Sequence, residues 1–451
     1  MKDLTKGKPS RLILAFALPI FLANLLQLTY SLVDTRIVGT FLGEDALAAV
    51  GATSSLSNLI IGFLMGLSNG FAIITAQRFG AKDLRGVKKS FAMSLTLGTA
   101  VAAGLTVLGL LFLQPILRFL NVPENLRTMA GSYIVIIIAG LIATFLYDAC
   151  AAALRALGDT ITPLVILAIS VILNIAGDLF FVVVLKTGVR GAAVATVSAQ
   201  ALAFVICWIY MLRRYEMLRL VREDFRDADT AMMKNMLGSG LSMGFMSSLV
   251  NIGSLTLQTA INKLGQDIIV AHTAARKISE IFMTMFSVFG QTMATYGGQN
   301  YGCGDVKRIK AGVKAALLAE FVYSVAVALL MCALLRPCLG LFFTGDVDIS
   351  AMMPWAETYC YMTAMFFLPL CTIFIFRNIM QGCGYGFLPM MGGVSELIAR
   401  LIVSMAAMKL LSYPLACFAD PAAWIAAAVF TGVSYLFVIK KIGRELKEKT
   451  T

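Results

Sequence analysis

The chain has 451 residues, of which 59% are hydrophobic and 14% charged, against roughly 45–50% apolar and about 25% charged in a soluble domain. That balance excludes an ordinary soluble enzyme or binding module and predicts an all-α integral membrane protein. The formal net charge of +12 is scattered over many short polar breaks, which excludes a nucleic-acid face gathered on one domain.

A bilayer core takes about 20 apolar residues per helical span, and twelve such runs follow one another. The predicted spans are 12–37, 46–77, 91–117, 130–156, 163–185, 192–212, 236–262, 268–300, 313–335, 354–381, 388–410 and 422–439. The short alternating segments of a β-barrel are missing. The first run follows a basic stretch as a signal peptide would, but no small-residue cleavage site precedes the next charges, so it reads as an uncleaved span. Placing the N-terminus inside puts 26 of the 37 Lys and Arg at or near inner segments. Both termini are therefore expected in the cytoplasm, with Arg377 of span 10 snorkelling to that surface.

Span 1 ends in "YSLVDTRIVG", residues 30–39, where Asp34 and Arg36 interrupt the apolar run. An ionised Asp at the middle of a lone helix costs about 2.5–3.5 kcal/mol on insertion scales, so such residues face a bundle interior or a wet cavity. Asp34 lies five residues before Gly39, Asp178 of span 5 eight before Lys186, and Thr196 of span 6 six after Arg190. At about 1.5 Å of rise per residue, all three sit roughly 8–12 Å below the outer surface. Asn174 stacks one turn below Asp178 on the same face. Two carboxylates, an amide and a hydroxyl at one depth suit a hard cation or a proton shared between carboxyls. The alternative is a static network in which Arg36 neutralises Asp34.

The chain is written twice. At an offset of 222 "FLGEDALAAVG" lies over "KLGQDIIVAHT" and "AQRFGAKD" over "GQNYGCGD"; at 226, "ALRALGDTITPL" lies over "IMQGCGYGFLPM". Six spans per half give both halves the same orientation, a parallel repeat. The expected division is an N-terminal lobe over 1–212, a cytoplasmic linker over 213–235, partly helical along the membrane surface, and a C-terminal lobe over 236–451. The polar residues of the first half are not copied: Asp34 falls on Thr256 and Asn174 on Arg400. The second half instead offers Arg276 with Glu280 on span 8 and Glu396 with Arg400 on span 11, each four apart and able to pair within its helix. The lone His272 fits a hydrogen-bonded structural role. Nine scattered cysteines without metal-like spacing read as packing residues.

These motifs, in this order, resemble the multidrug and toxic compound extrusion (MATE) transporters of the MOP flippase superfamily, prokaryotic type, over nearly the whole chain. "VDTRIVGTFLGEDALAAVG" looks like the family's first-span signature, "AQRFGAKD" like its motif after span 2, and "ALRALGDTITPL" and "NIAGDLFF" like its fourth-to-fifth span region. "GQNYGCGD" and "QGCGYGFLP" are the second-half counterparts. The resemblance implies a twelve-helix carrier of two six-helix lobes in a prokaryotic plasma membrane, exporting organic, often cationic compounds in exchange for protons or sodium. In the archaeal and DNA-damage-inducible types the first-lobe cation site is an aspartate, an asparagine, an aspartate and a threonine. Here those positions are Asp34, Asn174, Asp178 and Thr196, which would also be the metal ligands if sodium is the ion. Tyr133 matches a span 4 tyrosine near that site, and Pro19 a proline at which span 1 bends. Acidic residues that some members carry on spans 7 and 10 are missing, span 7 having Thr256 and Gln258 instead.

The expected activity is ion-coupled antiport by a monomer that is not an enzyme and holds no cofactor beyond the coupling ion. Its partners would be drug-like small molecules and the bilayer, with no nucleic acid. Candidate substrate-facing residues are Tyr30, Tyr133, Gln258, Met243 and Met246, an adaptable aromatic and Met wall, together with Arg36, Arg276, Glu280, Glu396 and Arg400. The rival is a flippase of polyprenyl-linked lipid precursors, which would use Arg36, Arg276, Lys277 and Arg400 on pyrophosphate. A membrane transferase would need a nucleophile or paired acids beside a long acceptor loop, and no such loop is present.

Overall fold

The computed structural model describes residues 3–119, 122–226, 229–342 and 349–448, and these are almost wholly helical. In chain order the helices are α1 (Pro9–Leu42), α2 (Glu44–Gly80), α3 (Leu84–Leu111), α4 (Leu113–Phe119), α5 (Glu124–Ala139), α6 (Leu141–Ala156), α7 (Ile161–Asp178) and α8 (Val189–Arg214). They continue with α9 (Arg222–Arg226), α10 (Thr230–Ile261), α11 (Gln266–Gly302), α12 (Val306–Phe342), α13 (Ile349–Met365), α14 (Phe367–Gly382), α15 (Phe387–Leu410), α16 (Tyr413–Cys417) and α17 (Ala419–Glu448).

Among the described residues nine helical stretches are each long and apolar enough to cross a membrane, and two bent pairs, α5–α6 and α13–α14, make two more spans. The twelfth is α11, more polar than the rest because it carries Asp267, Arg276, Lys277 and Glu280. Spans 4 and 10, predicted as single helices over 130–156 and 354–381, are thus each two helices, meeting at 44° and 49°. Both breaks have local causes. A Cβ on Gly140 would stand 2.4 Å from Val197 Cγ2, so the break lets α8 approach the backbone. Pro369, with no N–H, leaves the Met365 carbonyl without its helical donor. Span 5 carries a third irregularity. Immediately after Asp178 the helix widens into a π-turn over Leu179–Val184, a feature frequent at functional sites.

The sequence repeat is a backbone repeat. Gly43 and Gly265 hold φ of 85° and 109° between the first and second helix of each half, a conformation that side chains resist. Asp83 and Asp305 cap α3 and α12, each Oδ1 accepting an N–H three residues on at 2.8 Å.

The chain packs as two units, one built mainly from Leu18–Ser247, the other from Leu4–Ala17 with the residues from Ser248 onward. This differs from the expected boundaries at both helices that begin a repeat. The first half of α10 belongs to unit 1 because Gly66 and Gly70 of α2 meet Gly240 and Gly244 of α10 backbone to backbone; a Cβ on Gly70 would stand 2.5 Å from Gly240 Cα. Leu4–Ala17 belongs to unit 2, where Leu4 N–H donates to Gln299 Oε1 at 3.0 Å and its carbonyl accepts from Arg308 Nη2 at 3.1 Å.

Unit 1 is cored by Phe71, Phe91 and Phe145. The linker is part of it: Tyr215, Leu218 and Met232 are buried in the same core. Tyr215 Oη donates to Asp159 Oδ2 at 2.6 Å, as does Thr162 Oγ1. Burial pushes the Asp159 carboxyl up, but these hydrogen bonds outweigh it and hold it below its ordinary range. Unit 2 is cored by Phe286, Tyr359 and Phe367.

Candidate functional site

The polar cluster of unit 1 draws on four helices. From α1 come Tyr30 and Asp34, from α5 Tyr133, from α7 Asn174 and Asp178, and from α8 Thr196. Asp178 is fully buried and Asn174 is 2% exposed. With its amide nitrogen turned toward Asp178, Asn174 donates to Oδ2 at 2.9 Å, and its oxygen accepts from the Thr196 backbone N–H at 3.1 Å. Tyr30 Oη and Thr196 Oγ1 share a hydrogen bond at 3.3 Å. The Asp34 carboxyl lies within hydrogen-bonding reach of Asp178, and Tyr133 is close to both carboxyls. Asp34 Oδ1 and Asp178 Oδ1 receive no donor from any other residue. Arg36, which would neutralise Asp34 in a static network, is exposed and forms no ion pair among the described residues.

The remaining candidates scatter. Met243 and Met246 are buried, the Met243 backbone standing against Gly66 of α2. Gln258 Nε2 bonds Asn262 Oδ1 at 2.8 Å on its own helix. α1 runs unbroken through Pro19. A cavity of about 900 Å³ lies elsewhere in unit 1, beside Asp159, Arg214 and Tyr215.

In unit 2 the charges find each other. Glu280 pairs with Arg276 at 3.5 Å and Lys277 at 2.9 Å. Glu396 bonds Arg400 at 3.0 Å and lies 3.6 Å from Arg377, while Arg400 Nε reaches Asp420 Oδ1 at 2.9 Å. Tyr359 Oη completes the chain on Asp420 at 3.2 Å. Arg377 therefore does not snorkel: it is 5% exposed, facing Glu396 and the ring of Phe374. Glu396 and Arg400, taken from the sequence as substrate-facing, are likewise buried within the unit. His272 Nδ1 shares a hydrogen bond with Tyr413 Oη at 3.3 Å and its ring meets Tyr359 edge-on, a structural setting. Six cysteines are buried, but Cys303 and Cys332 are exposed.

The pattern that defines the MatE family matches residues 19–180 and 243–416, one block in each half of the repeat. The chain belongs to the MatE family. Among relatives of this MatE chain, the probable multidrug resistance protein YpnP of Bacillus subtilis is 27% identical over 68% of each chain. The FAD transporter of Shewanella oneidensis is 21% identical over 92% of this chain and 90% of that one. In fold, it is similar to an outward-facing multidrug resistance MATE family transporter, with a TM-score of 0.88 at 21% identity and 99% of each chain covered. A MOP superfamily transporter from Pyrococcus furiosus, described by the reverse polarity of its binding pocket, superposes with a TM-score of 0.90 at 20% identity, covering 98% of each chain. The MatE chain is accordingly a multi-pass membrane transporter of twelve helices in two lobes, and not an enzyme.

Sequence reasoning passed over three ionisable residues of this MatE chain. Asp420 anchors the unit 2 network. Asp148 lies on α6 near Arg155, which donates to Asn69 Oδ1 at 3.1 Å. Glu320 sits in the middle of α12. For Asp148 and Glu320 the signal was available, since an ionisable residue inside an apolar run is a functional hypothesis by default.

Proposed function

We propose that this MatE protein is a secondary exporter of small organic molecules, driven by protons exchanged at Asp34 and Asp178. The observation that carries the reading is the pair of carboxyls within hydrogen-bonding reach whose Oδ1 atoms accept from no other residue. Two carboxyls cannot stay at that separation with both ionised, and a proton between them resolves the conflict. Asn174 and Thr196 then fix the Asp178 side of the pair, and Tyr30 holds Thr196. A sodium ion would need several oxygen donors, whereas the Asn174 amide in its satisfied orientation turns its nitrogen toward Asp178. This supports the proton over sodium.

In the cycle proposed, substrate loads from the cytoplasm and a proton from the outside occupies the pair after the carrier turns outward. Proton and substrate must disfavour each other, and by linkage the penalty is reciprocal. Pro19, two residues past the point where α1 passes from one unit to the other, is the proposed hinge. Both termini are placed in the cytoplasm on the positive-inside rule. The names of the Bacillus relatives support drug-like cargo. Flipping of pyrophosphate lipids loses most of its support, since three of its four cations, Arg276, Lys277 and Arg400, are each engaged by a carboxylate and only Arg36 is not.

The test is dye efflux from proteoliposomes under separately imposed pH and sodium gradients, with Asp34→Asn and Asp178→Asn beside the wild type. The expected result is efflux driven by the pH gradient alone and lost in both variants. Wild-type efflux in both variants, or efflux that only a sodium gradient drives, overturns the reading.

A further inference from the structure

The deepest carboxyl of unit 2 belongs to neither the ion-pair network nor the site above. Glu320 of α12 is 0% exposed, and neither of its oxygens has a hydrogen-bond partner. Ser324, one turn further along α12, is 3% exposed and its hydroxyl is also unpartnered. Beside the carboxyl stands the thiol of Cys371 on α14.

The repeat shows that packing does not demand a carboxyl here. At the offset of 222 Glu320 falls on Gly98, and at 226 Cys371 falls on Phe145. In unit 1 those two residues touch: a Cβ on Gly98 would stand 1.7 Å from Phe145 Cζ. A glycine facing a phenyl ring and a glutamate facing a thiol fill the same gap between the third and fourth spans. Unit 1 fills it with hydrocarbon; unit 2 fills it with two groups able to carry a proton.

The surroundings supply no counter-charge. The titratable groups facing Glu320 are Cys371 on α14 and Tyr323 on its own helix, and the Tyr323 hydroxyl is committed to the Phe282 carbonyl at 2.7 Å. Among the described residues no charged side chain of α11, α13 or α17 acts on it. An ionised carboxyl with only a weak thiol donor beside it and no counter-charge is not sustained in such a setting, so the geometry is that of the proton-bound acid. Cys371 lies five residues past Phe366, where α13 and α14 meet at 49°. A change in that bend would move the one polar group α14 presents to Glu320 and open a way for the proton.

We propose that Glu320 is a second proton-binding site, carried by unit 2, which loads and releases a proton during the transport cycle. It does not depend on the role given to Asp34 and Asp178, and the experiment separates the two. Infrared spectra of the full-length protein in proteoliposomes, recorded across pH, are compared for the wild type, Glu320→Gln and Asp34→Asn. A protonated-carboxyl band present in the wild type and in Asp34→Asn, and lost in Glu320→Gln, is expected. The number of protons exchanged per substrate, from reversal potentials, is expected to fall by one in Glu320→Gln and in the double variant Glu320→Gly with Cys371→Phe, which installs the unit 1 pair. A folded double variant with the wild-type proton number, or a band indifferent to Glu320→Gln, overturns the proposal while leaving the Asp34–Asp178 reading intact.

Discussion

The two units place ionisable groups on the same scaffold and treat them in opposite ways. In unit 2 the network alternates in sign from Arg377 through Glu396 and Arg400 to Asp420, so each buried charge meets its opposite inside the unit. In unit 1 Asp34 and Asp178 meet each other, and Arg36 stands apart in an exposed position. At the repeat offsets Arg400 occupies the place of Asn174 and Thr256 that of Asp34. One replacement brings a permanent cation, the other removes a carboxyl. A network neutralised from within has no vacancy for a mobile ion, whereas a pair of acids with no cation of its own has to borrow one. The duplicated backbone thus holds a brace of paired charges in one unit and, in the function proposed above, an exchangeable site in the other.

The sharpest way to break this contrast is to unbalance the brace. Arg400→Leu leaves Glu396 and Asp420 buried without their shared cation, and removing one partner of a buried ion pair costs about 3–5 kcal/mol. Thermal unfolding of the purified protein should show a loss of that size, larger than for any single change in the unit 1 pair. An Arg400→Leu protein as stable as the wild type would mean that the network is not what unit 2 relies on. The converse applies to unit 1. Asp34→Asn and Asp178→Asn each remove a like-charge conflict, so stability should hold or rise while pH-driven efflux falls about a hundredfold, ~2.8 kcal/mol in barrier terms. Unfolding of both variants with efflux preserved in the folded fraction would make the pair a brace as well.

Much of this contrast was legible in the sequence. Twelve apolar runs, the repeat and the shared depth of Asp34, Asp178 and Thr196 follow from counting along helices, and Asn174 from its spacing to Asp178. The break at Gly140 was not legible, because the apolar composition runs through it unmarked; the one at Phe366 was signalled by Pro369 but hidden by the continuous apolar run around it. The fate of Arg377 was not legible either: a cation near a helix end can reach water or a buried acid, and only the position of Glu396 decides. Asp420 escaped notice because it precedes the last apolar run and its partner Arg400 lies twenty residues upstream on another helix. The unit boundary inside α10 depends on close glycine contacts between helices, and the one inside α1 on hydrogen bonds from Leu4 to Gln299 and Arg308; hydropathy sees neither.

A smaller effect tests whether the linker belongs to unit 1 or merely lies beside it. Tyr215→Phe removes the donor to Asp159 Oδ2, worth about 1.5 kcal/mol for a bond to a charged acceptor. Because the folded Asp159 carboxyl sits below its unfolded value, its contribution is present above the unfolded pKa of about 3.9 and is lost as pH falls through the folded value. The wild type and Tyr215→Phe should therefore differ most near neutral pH and converge under acid. A difference that grows on acidification would mean that Asp159 does not hold its charge through Tyr215.

The smallest expected effect bears most directly on what unit 1 lacks. Arg36 is two residues from Asp34, so it projects from another face of α1, and its exposure lets water screen whatever charge it presents. Replacing it with Gln should change stability by no more than about 0.5 kcal/mol, as for other surface positions, and should leave the pH dependence of efflux where it is. If Arg36 were the hidden counter-ion of the acid pair, Arg36→Gln would instead shift that pH dependence as strongly as losing one of the acids. The two units would then share one strategy, a carboxylate held by an arginine, and the difference between them would be only the distance over which it acts.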